Sequence, residues 1–202
     1  MILRYLLLLC LLGAAAAAQA ECECIWRGSF TSVQEHTDLV VTARVVASQG
    51  NSIDLELSET WRGTNYQPTI RVWLNSSGLC RPEVEHFPLD SSWVMALERI
   101  DEQVPGGFNP STPNISYGRV GDYTLSSCGG YWLSLHGEVV TGNLAGGTRW
   151  EHNPKMSPVL SVLVAAFVAG EIDADALKEA SQLDPELQRL QLDTRSFLRQ
   201  QR

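Results

Sequence analysis

From Leu39 the chain alternates, with Leu39, Val41, Ala43 and Val45 on one side and Val40, Thr42, Arg44 and Val46 on the other. A period of two is what a strand with two different faces requires. The turn-rich stretch Ser48-Gln49-Gly50-Asn51 interrupts it, and Ile53, Leu55 and Leu57 then resume opposite Asp54 and Glu56. That spacing predicts a β-hairpin. Further strands are predicted through Ile70, Val72 and Leu74, and through Trp93, Met95 and Leu97. Three prolines and two glycines between Val104 and Asn114 predict a long loop. Strand signals return at Tyr123-Thr124-Leu125 and from Tyr131 to Leu135, followed by a predicted Gly-rich hairpin at Gly142 to Gly147.

The two ends follow other patterns. Residues 1–20 hold Arg4, an apolar run Leu6 to Leu12 and an Ala18-Gln19-Ala20 ending, the layout of a cleaved secretory signal. Beyond about residue 150 the strand period stops. Ser157-Pro158 reads as an N-cap and first helical residue ahead of the apolar run Val159 to Ala169, which Gly170 ends. Asp184-Pro185 repeats the start signal before Leu187, Leu190, Phe197 and Leu198. The first helix is apolar nearly all round, so burial against the sheet or a partner is expected. The organisation is therefore a signal peptide at 1–20, a barrel domain at 21–150 and a helical C-terminal extension at 151–202. The fold class is mainly β, a small closed barrel of about five short strands with that extension.

Composition narrows the function. Loss of Arg4 with the leader leaves 14 of the 15 basic side chains against 23 acidic ones, a net charge of −9. Such a chain has no electrostatic basis for binding nucleic acid. The apolar run Val159 to Ala169 falls well short of the roughly 20 residues that cross a bilayer, so no transmembrane segment is expected in the mature chain. Six tryptophans are many for this length. Trp61, Trp73, Trp93 and Trp132 fall at strand positions suited to core packing.

Chemistry-bearing motifs are few. There is no Gly-x-Ser-x-Gly elbow and no His-Glu-x-x-His helix, so no enzyme and no cofactor is expected. His36, His86, His136 and His152 show no metal-ligand spacing. Cys22, Cys24, Cys80 and Cys128 remain after the leader. An even count in an exported chain points to disulfides. Four cysteines allow three pairings, and the residues alone do not choose among them. A metal-binding or redox role for the Cys22-Glu23-Cys24 pair is the alternative from a different class.

Cys22-Glu23-Cys24 followed by Thr37-Asp38-Leu39-Val40-Val41-Thr42-Ala43-Arg44-Val45-Val46 resembles the opening of netrin-like modules and tissue inhibitors of metalloproteinases. The resemblance continues at Glu59-Thr60-Trp61-Arg62-Gly63, at Gly78-Leu79-Cys80 and at Ser126-Ser127-Cys128, covering about residues 22–135. It implies an OB-type barrel with disulfides Cys22–Cys80 and Cys24–Cys128. It also implies a partner-binding ridge of Cys22, Glu23, Cys24 and Ile25, joined by Ser77, Gly78 and Leu79. In the inhibitors the amine and carbonyl of a first-residue cysteine chelate the protease zinc. Cleavage after Ala20 leaves Glu21 ahead of Cys22, and Glu23 holds the position that enters the specificity pocket. The expected function is a secreted or periplasmic, non-catalytic protein-interaction module, its partner an extracytoplasmic protein such as a metalloprotease.

Overall fold

The computed structural model describes residues 22–76, 79–104, 116–146 and 154–186, with residues 189, 190, 197 and 199. The leader, Glu21, nearly all of the loop expected at 104–114, and Gly147, Leu187 and Leu198 lie outside the described residues. A short helix α1 (Phe30–Val33) and a 3-10 turn precede β1 (Leu39–Gln49) and β2 (Ser52–Arg62). Then come β3 (Thr69–Trp73), β4 (Ser92–Arg99), β5 (Tyr123–Thr124), β6 (Trp132–His136), β7 (Val139–Gly142) and β8 (Val159–Leu160). Two helices follow, α2 (Ser161–Val168) and α3 (Ala174–Ala180).

The protein is mainly β, an OB-type closed barrel. β1 pairs antiparallel with β2 from Val40 to Gln49 and with β4 over Leu39 to Arg44. β2 pairs with β3, β3 runs parallel to β5, and β5 pairs with β4, which closes a ring of five strands. Closure leaves no free edge within the ring. Three register shifts between β1 and β2 let these long strands bend around the small barrel. β4 is shared: its first half also carries β6, then β7 and β8, as an outward flap of sheet.

The alternation expected of β1 holds only in part. Leu39, Val41, Ala43 and Val45 are buried as expected, but Val40 and Thr42 are buried too. Phe30 and Val33 of α1, with Val159, Val164 and Leu177 from the C-terminal segment, add apolar side chains beyond those of the ring. A strand with cover on both faces loses its polar–apolar contrast. Trp73 and Trp132 are buried. Phe87 meets Trp93 and Trp132 edge-on at 5.1 and 5.7 Å between ring centroids, so these aromatics pack the interior.

Three other expectations are corrected. The hairpin turn lies at Gly137-Glu138 between β6 and β7, ahead of the glycine-rich stretch. The stretch after Gly142 instead turns away to receive the N-terminal segment, with the Phe30 and Thr31 amides donating to the Asn143 and Leu144 carbonyls. Ser157 does not cap a helix. Its hydroxyl donates to the Gln182 carbonyl and accepts from the Asp184 amide, while Val159–Leu160 extends the sheet and the helix begins at Ser161. Nor is α2 buried all round: Val164 is fully enclosed, but Val162 is 65% exposed and Leu163 37% exposed. Helix α3, capped by Asp173 accepting from the Ala176 amide, lies against it.

Gly63 shows how tightly the ring is drawn. It has φ +86°, and a Cβ there would lie 2.2 Å from the Asp38 carbonyl oxygen. Both the left-handed backbone and the backbone overlap exclude a side chain. Gly63→Ala is expected to lower stability by about 1–3 kcal/mol from backbone strain alone, read as an earlier midpoint in urea denaturation. An unchanged midpoint would show that the corner next to β1 relaxes freely.

Candidate interaction edge at the N-terminus

Residues 22–28 have no regular secondary structure, and their position is set by the loops they cross. The Arg27 amide donates to the Cys128 carbonyl (2.8 Å), and the Gly130 amide donates to the Gly28 carbonyl (2.9 Å). The Phe30 amide then reaches the Asn143 carbonyl at 2.8 Å. Gly130 makes this crossing possible, because a Cβ on it would lie 2.6 Å from the Asn143 oxygen and 2.7 Å from the Phe30 nitrogen. The Cys128-Gly129-Gly130 run is the sequence signal for this close approach.

Two disulfides fasten the segment further out. Cys22 joins Cys80 with Cα atoms 5.2 Å apart, and Cys24 joins Cys128 at 5.8 Å. The pairing that the resemblance implied is the pairing in the structure. The Ser127 amide donates to the Cys80 carbonyl at 3.0 Å, so the two cysteine-bearing loops are also tied to each other. Cys128 is 5% exposed, and the other three cysteines are half-buried. All four sulfurs lie within 4.8 Å of one another.

The alternation of an extended chain decides what faces outward. With Cys22 and Cys24 turned toward the barrel, Glu23 and Ile25 turn to solvent. Ile25 is 87% exposed. Leu79 is half-buried beside the Cys22–Cys80 bridge, its amide donating to the Ser76 carbonyl. The structure thus brings Cys22, Glu23, Cys24, Ile25 and Leu79 to one edge, while Ser77 and Gly78 of the expected ridge lie outside the described residues. The open position of Glu23 means that its carboxylate carries no burial penalty in the free protein.

Charge near this edge comes from two arginines the sequence reading did not single out. Arg27 donates to the Tyr131 hydroxyl at 3.4 Å and lies 3.8 Å from the Glu98 carboxylate. The hydrogen bond to Tyr131 raises the Arg27 pKa. Burial raises that of the Tyr131 phenol, with Arg27 pulling against it. Arg81, next to Cys80, donates to the Tyr117 carbonyl at 2.6 Å, and burial lowers its pKa. Ser134 Oγ and His136 Nε2 are 2.9 Å apart on β6, as an exposed surface pair. Among the described residues, no helix is long and apolar enough to cross a membrane.

Comparison with known protein families, with characterised proteins and with solved structures finds no match to this chain.

The bridges close separations of 58 and 104 residues. Cross-links of this span constrain the unfolded chain strongly, and loss of one such bond costs about 2–5 kcal/mol. Cys24→Ser with Cys128→Ser is expected to lose that much in urea denaturation and to make the Cys22–Gly28 segment sensitive to protease. A variant with wild-type stability and protection would show that the hydrogen bonds from Arg27 to Thr31 hold the edge unaided.

Proposed function

We propose that this chain is a non-catalytic protein-interaction module of the netrin and metalloproteinase-inhibitor type, acting outside the cytoplasm. Its contact edge is Cys22 to Ile25 with Leu79. The observation that carries the reading is Ile25: a large apolar side chain, 87% exposed, on a segment held by two disulfides and the hydrogen bonds beside them. A single exposed apolar residue is ordinary on a mobile loop. On a fastened edge it offers buried area on binding with little ordering cost. Two disulfides also fit an oxidising, extracytoplasmic compartment, in line with the leader pattern of residues 1–20.

The edge defines its partner by chemistry. Ile25 calls for an apolar pocket, and Glu23, two residues away, calls for a basic or wet rim beside it. A zinc metalloprotease suits this edge when the chain begins at Cys22, whose free amine and carbonyl then become metal ligands, and when its specificity pocket is polar enough to take the Glu23 carboxylate. When the chain begins at Glu21 the amine belongs to the wrong residue, and the edge serves a partner without an open metal.

Photo-crosslinking from position 25, with a position on β2 as control, identifies the partner. Full burial of Ile25 stabilises a complex by roughly 1.5–3 kcal/mol, so Ile25→Ala is expected to weaken binding about 10- to 100-fold. An unchanged affinity would remove the edge from the interface. In parallel, the protein beginning at Cys22 is expected to inhibit zinc proteases, and the protein beginning at Glu21 is not. Equal, stoichiometric inhibition by both forms would overturn the chelation argument.

A further inference from the structure

We propose that the four cysteines, once both disulfides are reduced, form a tetrahedral thiolate site that holds one zinc ion at the base of the N-terminal edge. The inference stands apart from the proposed function, which concerns the oxidised edge and its outer face. It rests on the inner face, where the four sulfurs converge within 4.8 Å of one another.

Zinc–thiolate bonds of about 2.3 Å place the four sulfurs of a tetrahedral site about 3.8 Å apart. Here two of the six sulfur pairs are covalent and relax outward to contact distance on reduction. The other four close by about 1 Å at most from the spacing observed. Movements of this size lie within side-chain adjustment. Cys22 and Cys24, two apart in an extended segment, project toward the same side. Cys80 and Cys128 come from loops on the barrel.

Reduction loosens the edge, but backbone hydrogen bonds bias its return to the converged arrangement, and the metal then takes over the fastening role of the two disulfides. Ser127 N to Cys80 O joins the loops of Cys80 and Cys128. Arg27 N to Cys128 O and Gly130 N to Gly28 O hold the chain just after Cys24. Three of the four ligands are therefore held near one another when these bonds form, and Cys22 needs only the two-residue reach from Cys24. Burial of Cys128 closes the inner side, while the half-buried Cys22, Cys24 and Cys80 leave an entry path. Four thiolates are soft donors, which favour zinc over calcium or magnesium. The segments that bear the ligands also carry two cationic side chains, Arg81 next to Cys80 and Arg27 three residues after Cys24.

The chemistry balances. Each disulfide takes two electrons and two protons from a dithiol, which leaves as its own disulfide, so two dithiols convert the four cysteines to thiols. Zinc then binds four sulfurs and displaces their four protons.

The test uses the purified protein, anaerobically reduced with a non-chelating phosphine, which leaves as the phosphine oxide, and titrated with cobalt(II) and then zinc(II). One cobalt per chain is expected, with the visible d–d bands and near-ultraviolet charge-transfer absorption of a tetrahedral tetrathiolate, bleached by one equivalent of zinc. Cys80→Ser is expected to shift these bands and weaken binding at least tenfold. Near-ultraviolet circular dichroism of the reduced protein before metal addition reads whether the tryptophan core persists. The reduced chain in urea is expected to bind at least tenfold more weakly than the folded one. Absence of tetrathiolate bands, equal affinity in urea, or loss of the near-ultraviolet signal on reduction alone would each overturn the proposal.

Discussion

Both hydrogen-bonding edges of β1 are occupied, by β2 on one side and β4 on the other, and this double pairing governs the rest of the molecule. It converts a meander of strands into a ring, so the side chains that point inward from Leu39, Val41, Ile53, Leu55, Met95 and Leu97 share one interior. Ring closure also forces the strands to bend, which is why the β1–β2 register slips three times and Gly63 must lie against the Asp38 carbonyl. The parallel contact between β3 and β5 is short, Val72 to Tyr123 and Trp73 to Thr124, and completes the circuit.

Because β4 gives one edge to β1, its other edge is divided between β6 and β5. The connection from β5 to β6 is therefore the Cys128-Gly129-Gly130 loop, set where the two strands part along β4. That loop accepts the N-terminal segment: its glycines admit the crossing backbone, and Cys128 locks it. The edge that carries Ile25 is thus fixed by the way the ring is closed rather than by its own conformational preference. Ordering cost is met during folding, which leaves the exposed side chains ready to bind.

Buried polar groups hold the ends of the ring. Asn51, in the β1–β2 turn, donates to the Leu74 and Ser116 carbonyls and accepts from the Ser116 amide, joining three separate segments. The Trp73 indole donates to the Asp122 carboxylate at 2.9 Å, and Arg119 meets the same carboxyl group. At the other end Arg62 donates to Gln34 and to Thr37, tying the turn after α1 to the end of β2. Each of these groups would be costly to bury alone, and together they are satisfied.

The strands β1 to β4 were legible in the sequence because a period of two is a local property, written wherever one face meets the core and the other meets water. The resemblance of spaced cysteines likewise carried both disulfide pairings, which no local rule could choose. The tertiary structure alone decided where the pattern was overridden. Val40 and Thr42 are buried because segments distant in sequence add to the core around the ring. Val159–Leu160 became a strand because the β7 edge was open to it, although its composition suits a helix. The outward placement of Ile25 and the convergence of four sulfurs depend on Gly130 letting two backbones cross. Those are contacts between residues about a hundred positions apart, and hydrophobic periodicity reports only on neighbours along the chain.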